Sequence, residues 1–229
     1  MKPPIFVVGC PRTGTTWVWG LLDKHPETVS LLPQDVLGGP GVETAIFTCE
    51  MNLSDEKIRE IISTKMEGDS RVLVEKTPLH LWHFERIWEI YPTARLVVLT
   101  RSPYGTVNSM LRAEEVTGMK SWPVVGSLAR WTDSARIIGE IESDPRVTLV
   151  NYENLLEDVV GEYQKLTDSL GLSSAPHIAA ESIGVAAHPG PSGLVRRGTA
   201  DSWKTELKPE LIHFITTTLM DGIDTEEAA

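Results

Sequence analysis

Residues 5–24 read IFVVGCPRTGTTWVWGLLDK, and the fold follows from how that stretch divides. Ile5–Val8 is an unbroken apolar run closed by Gly9, the mark of a short strand buried on both faces of a parallel sheet. From Thr15 a helical pattern runs to Lys24, and His25-Pro26 stops it. Between the two lies Gly9-Cys10-Pro11-Arg12-Thr13-Gly14-Thr15-Thr16, a G-x-x-x-x-G frame joining strand to helix. Backbone N–H groups in such a turn, with a helix N-terminus behind them, make an anion site. Thr15 and Thr16 add hydroxyl donors. The plain alternative is a strand–turn–helix corner without a ligand.

The alternation continues outward. Val29–Leu32 reads as a second short strand, and residues 33–50, with Gly38, Gly39, Pro40 and Gly41, as a loop. Ser54 reads as the N-cap of a helix reaching Met66, with Asp55 and Glu56 in the first turn, where the helix dipole favours acids. Arg71–Glu75 reads as a strand and Leu79–Tyr91 as an amphipathic helix stopped by Pro92. Arg95–Thr100 is the strongest strand, with Leu96-Val97-Val98-Leu99 in a row. Pro103–Glu115 and Val124–Ile141 read as helices, Arg146–Val150 as a strand, and Leu156–Leu170 as a helix ended by Gly171. Residues 184–200 read as a loop and Pro209–Met220 as the last helix, with the acidic tail of residues 222–229 expected to fray. Strands alternating with helices predict an α/β fold: a central parallel sheet flanked by helices on both faces, of the P-loop-containing nucleotide-binding type. Without an internal repeat or a linker-like stretch, residues 1–229 are expected to form a single domain.

Composition narrows the partners. A chain of 229 residues, 41% hydrophobic and 23% charged, has the make-up of a globular protein. Folding at that length buries about 70% of the unfolded chain's surface. The net charge of −11 disfavours nucleic acid, polyanionic glycans and anionic membranes. The few basic residues that cluster therefore point to a pocket for a small anion. Cys10 and Cys49 have neither metal spacing nor a disulfide framework, and both are expected to be buried thiols. No stretch reaches the roughly 18 apolar residues of a membrane span, and no basic, long apolar leader opens the chain. A cytoplasmic protein with no membrane partner is the expectation.

The loop departs from that of a nucleoside triphosphatase in two places. Thr15 stands where the Gly-Lys-[Ser/Thr] lysine would be. The strong strand ends in Thr100-Arg101, a cation where a magnesium-holding Asp is required. The site reads as built for an anion without a bound metal.

At these residues the sequence resembles the PAPS-dependent sulfotransferases, in particular their bacterial and glycan branches. Their phosphosulfate loop has the form Pro-[Lys/Arg]-[Ser/Thr]-Gly-Thr-Thr, often with Trp next, and here it is Pro11-Arg12-Thr13-Gly14-Thr15-Thr16-Trp17. Their 3′-phosphate motif is Arg-x-Pro-x5-Ser after a strand, matched by Arg101, Pro103 and Ser109. Asn151-Tyr152-Glu153-Asn154-Leu155 is similar to the Tyr-Glu-Asp-Leu segment whose tyrosine lies near the adenine. Arg196-Arg197-Gly198, with Trp203-Lys204 downstream, is similar to the Arg-Lys-Gly loop that closes over the nucleotide. Glu75-Lys76-Thr77-Pro78 matches a further segment. The matches keep the family's order from residue 5 to about residue 205.

The resemblance implies PAPS as co-substrate, 3′,5′-ADP as product, and a small-molecule acceptor attacked through a hydroxyl or amine. Arg12, Thr13, Gly14, Thr15, Thr16, Trp17, Arg101, Ser109, Tyr152, Arg196, Arg197 and Gly198 are its implied nucleotide contacts. Arg12 and Lys76 are the candidates for stabilising the leaving group, and only Lys76 can also give up a proton. His80, Asp35 and Glu75 are the candidates for general base, with His80 titrating nearest neutral pH. The segment between the first helix and Arg71, with residues 113–124 and 184–195, is expected to line the acceptor side. A kinase of the P-loop class and a catalytically silent nucleotide-binding module are the alternatives.

Overall fold

The computed structural model describes residues 2–38, 41, 43–113, 122–182 and 199–226. Five parallel strands form a sheet: β1 (Ile5–Gly9), β2 (Thr28–Ser30), β3 (Val72–Lys76), β4 (Arg95–Thr100) and β5 (Val147–Asn151), in the order β2-β3-β1-β4-β5. Pairing sets Val7 beside Lys76 on one side of β1 and Gly9 beside Leu99 on the other. The chain passes from β1 to the far edge, returns to β3, then crosses β1 to reach β4. The carboxyl end of β1 thus lies at the point where the winding reverses, the place where open α/β sheets collect ligands.

The helices in chain order are α1 (Thr15–Asp23), α2 (Pro33–Leu37), α3 (Asp55–Lys65), α4 (Phe84–Ile90), α5 (Pro103–Leu111), α6 (Val124–Ile141), α7 (Tyr152–Glu157), α8 (Val159–Leu170), α9 (Pro176–Ser182), α10 (Trp203–Glu206) and α11 (Pro209–Glu226). Period-two alternation in the strands splits the core into two layers. Ile5, Val7, Val74, Val97 and Leu99 pack with Val18 and Leu22 of α1 and Tyr163 and Leu166 of α8. Phe6, Val8, Leu73, Leu96 and Val98 pack on the other face with Ile58 and Ile62 of α3, Ile87 of α4 and Ile137 and Ile141 of α6. A smaller cluster of Val107, Leu128, Leu207 and Ile215 ties α5 and α6 to the C-terminal segment. The α/β expectation with a parallel sheet holds. Among the described residues no helix is long and apolar enough to cross a membrane.

Some elements differ from the sequence reading for local reasons. Residues 33–50 include α2, because Pro33 starts a helix readily and Asp35 accepts the Leu32 N–H at 2.8 Å. Gly38, left-handed at φ 68°, ends it. The expected helix Leu79–Tyr91 is a 3₁₀ turn, Pro78–His83, followed by α4. Expected Leu156–Leu170 begins earlier, at Tyr152, and breaks at Asp158, whose side chain caps the Gly161 N–H at 2.8 Å. The last helix continues past Met220 to Glu226, since Gly222 costs only about 1 kcal/mol inside a helix. Cys10 is buried as expected, but Cys49 is exposed, because the loop that carries it turns Ile46 and Phe47 into the core instead.

Candidate functional site

The turn after β1 is built against ordinary backbone preferences. Gly9 has φ 149°, and a Cβ there would stand 2.7 Å from the Leu99 carbonyl oxygen, so glycine lets the chain leave the sheet against β4. Arg12 holds φ 74°, in the left-handed region that non-glycine residues rarely enter. Gly14 follows at φ 103°, with the Tyr152 ring 2.7 Å from where a Cβ would be. Thr13 closes the turn by donating its N–H and its hydroxyl to the Cys10 carbonyl, at 3.2 and 2.7 Å. Left-handed residues at Arg12 and Gly14 turn neighbouring N–H groups to one side, as anion-binding nests do. Gly14 caps α1 without any side-chain oxygen, so the leading N–H groups of that helix stay available to an anion. Strained backbone held in place by its surroundings is characteristic of functional turns.

Three distant segments converge on this loop. Arg12 donates from Nε to the Ser109 hydroxyl at 3.2 Å, linking the loop to α5. Arg101, just past β4, donates from Nη1 to the Arg12 carbonyl at 2.9 Å and lays its guanidinium 4.0 Å over the Tyr152 ring. Trp17 meets the same ring edge-on at 6.0 Å. The Arg101 corner is fastened from behind. Trp131 of α6 donates from Nε1 to the Arg101 carbonyl at 2.9 Å, and Glu153 accepts the Ser102 N–H at 3.0 Å. The Ser102 hydroxyl caps α5. Burial, then the charge of Arg101, push the Arg12 guanidinium below its usual range, with Tyr152 acting the other way. Two cations held together in this fashion are complementary to a polyanion.

On the other side of β1, neighbouring residues of β3 do different work. Glu75 and Lys76 lie at the carboxyl end, and the strand's alternation sends them to opposite faces. Glu75 is fully buried; its Oε1 accepts from Thr44 at 2.6 Å and Thr77 at 2.7 Å, and its Oε2 meets His80 Nδ1 at 2.9 Å. Burial would raise this carboxyl, but the adjoining His80 ring and the three hydrogen bonds outweigh it and hold Glu75 below the usual carboxylate range. His80 Nε2 accepts the Phe47 N–H at 3.3 Å, so both ring nitrogens are engaged and Nδ1 carries the proton toward Glu75. Ala45 N–H donates to the Thr77 hydroxyl at 3.2 Å. The group pins residues 44–47 onto β3, which brings Glu43 against Lys76, Oε1 to Nζ 3.2 Å. Lys76 is nearly buried and Glu43 is half-exposed.

Asp35 is bound elsewhere: its Oδ2 takes the Leu32 N–H and the Lys65 ammonium, each at 2.8 Å. Arg196, Arg197 and Gly198 lie outside the described residues. The downstream Trp203 stacks on Tyr104 of α5 at 4.4 Å, and Glu206 accepts from Asn108 at 2.6 Å and pairs with Arg112 at 3.0 Å. The C-terminal segment is thereby attached to the helix that bears Ser109. Sequence reasoning did not single out Glu43, Trp131 or Glu153 for the site. Only Glu153 carried a signal, as the acid after Tyr152.

Comparison with known proteins places the chain in a family. The family model described as "Sulfotransferase family" matches residues 3–38 and 40–176. A putative protein-tyrosine sulfotransferase of Caenorhabditis briggsae is 26% identical over 186 residues, covering 73% of this chain and 65% of the relative. Nodulation protein NoeE of Sinorhizobium fredii is 23% identical over 262 residues, covering 92% of this chain and 62% of the relative. The chain thus spans less than two thirds of the length of these curated relatives. Among solved structures, the sulfotransferase domain from the curacin biosynthetic pathway superposes with TM-score 0.65 at 18% identity, covering 96% of this chain and 98% of that one. Mouse sulfotransferase SULT7A1 complexed with PAP gives TM-score 0.66 at 18% identity, covering 95% and 83%. With a family match over most of its length and the sulfotransferase fold around its loop, this chain belongs to the sulfotransferase family.

Proposed function

We propose that this chain transfers a sulfuryl group from PAPS to a hydroxyl or amine of a small acceptor, releasing 3′,5′-ADP, with the chain's own cations in place of a metal. The observation that carries the reading is the convergence of Arg12, Ser109 and Arg101 on the strained Gly9–Thr16 loop. The PAP held by SULT7A1 supports the nucleotide. PAPS supplies an activated sulfuryl group on a phosphate leaving group. In this reading the loop N–H groups, Thr15 and Thr16 hold the 5′ end, and Arg101 with Ser109 reads the 3′-phosphate. Tyr152 and Trp17 form the wall beside them.

Arg12 stabilises negative charge on the departing oxygen as a fixed cation, and Lys76 is the cation able to deliver a proton there. The base that deprotonates the acceptor is Glu43. It is the half-exposed acid beside Lys76, whereas His80 has both nitrogens in use and Asp35 is committed to Leu32 and Lys65. A positioned base contributes about 10²–10⁴-fold. The test is release of 3′,5′-ADP from PAPS across a panel of phenols and amines. Acceptor-dependent release that falls by that factor in Glu43→Gln is expected. Full activity in Glu43→Gln would remove Glu43 from the mechanism, and no release with any acceptor would count against the transfer itself.

A further inference from the structure

A cavity of about 580 Å³ lies between α6, the Pro78–His83 turn and residues 48–50, within the range of about 300–1,000 Å³ typical of small-molecule sites. Its walls continue, in sequence, from segments that carry residues of the proposed catalytic centre. Leu79, Trp82 and His83 come from the turn that follows Lys76-Thr77. Thr48, Cys49 and Glu50 continue the loop that holds Glu43 and Thr44. Gly126, Ala129 and Arg130 come from α6, the helix whose Trp131 fixes the Arg101 carbonyl.

Its charged groups are not equivalent. Asp133 is spent, with Oδ2 accepting from Trp82 Nε1 and Oδ1 from Arg136 at 3.0 Å. Arg130 is held without being used. Its guanidinium lies 4.2 Å over the Trp122 ring and 5.8 Å from the Trp82 ring, and among the described residues it makes no hydrogen bond or ion pair. The two indole rings hold the guanidinium and leave its N–H donors for something else, and a planar fork of donors suits two-point recognition of a carboxylate. Trp82 and Leu79 offer an apolar wall, and Gly126 and Ala129, lacking bulk, leave room for a flat body.

We infer that this cavity takes the acceptor, and that the acceptor is a small molecule with a flat apolar or aromatic body and a carboxylate that Arg130 binds. The inference rests on the sulfuryl-transfer reading for the word acceptor, but its test does not. Binding of 4-hydroxyphenylacetate and of its neutral amide, 4-hydroxyphenylacetamide, is measured by calorimetry with and without 3′,5′-ADP. The acid is expected to bind about tenfold more tightly than the amide, and Arg130→Gln to remove that preference. The variant should keep the rise in melting temperature given by 3′,5′-ADP, which reports an intact fold and nucleotide site. Equal binding of acid and amide, binding of neither, or an unchanged preference in Arg130→Gln overturns the assignment. A missing response to 3′,5′-ADP in the wild-type chain would instead overturn the reading of the nucleotide site.

Discussion

Arg101 lies 4.0 Å over the face of Tyr152, and that same ring closes against Gly14 in the loop. One aromatic residue at the end of β5 thus sets both the cation proposed for the 3′-phosphate and the loop proposed for the 5′ end. The Tyr152 hydroxyl has no hydrogen-bond partner among the described residues, so the ring is what matters. Tyr152→Phe should leave stability and 3′,5′-ADP affinity close to wild type. Tyr152→Ala should cost about 3–5 kcal/mol, as for other buried aromatics, and weaken 3′,5′-ADP binding. Denaturant unfolding and a 3′,5′-ADP titration on both variants check this.

Gly14→Ala adds one carbon, at φ 103° and 2.7 Å from the Tyr152 ring. The backbone strain alone is worth about 1–3 kcal/mol, and the loop must move to relieve the contact. Lower stability and loss of 3′,5′-ADP binding are expected together. Calorimetry showing wild-type affinity would mean that the loop tolerates another path.

Lys76 pairs with Glu43 and sits on the strand beside the loop's own strand. Lys76→Ala should lower turnover by about 10²–10⁴-fold while leaving PAPS affinity nearly unchanged, because a proton donor acts in the transition state. Single-turnover rates and equilibrium binding separate the two effects. Unchanged turnover would remove Lys76 from the mechanism.

Glu75 predicts a pH dependence of stability. Its folded pKa lies below the ordinary carboxylate value, so the native state binds fewer protons than the unfolded chain. The stabilisation is present above the unfolded pKa and is lost as pH falls through the folded one. Asp69 and Asp144, each held at about 2 by hydrogen bonds from Arg71 and Arg146, add to the same acid slope. Melting temperature should drop as pH falls below about 4, and Glu75→Gln should start lower and show a shallower drop. An unchanged slope in that variant would contradict the buried pairing.

What the sequence disclosed was whatever is local. β1, β4 and α6 were readable to the residue, because apolar runs and helical spacing are written in consecutive positions. Ser54 was readable as a cap because its hydroxyl serves Lys57, in the very next turn. The loop and the Arg101 frame were readable because spacing within a segment carries them. The split of Leu79–Tyr91 was not, since His80 answers to Glu75 and to Phe47, outside the segment. Glu43 was hidden for the same reason. Its partner among the described residues, Lys76, lies on β3, far along the chain, and nothing around Glu43 in the chain announces it. Asp35, one of the three candidate bases, is tied to a helix start and to Lys65.

The central claim, that the loop and the Arg101 corner read a nucleotide bearing both 3′ and 5′ phosphates, is tested most directly by thermal unfolding with 3′,5′-ADP, with 5′-ADP, and with magnesium-ATP. Ligand at 100 times its dissociation constant adds about 2.7 kcal/mol, a clear rise in melting temperature. A rise with 3′,5′-ADP alone, abolished in Arg101→Ala, is the predicted result. A rise with magnesium-ATP and none with 3′,5′-ADP would contradict the account and return the site to phosphoryl transfer.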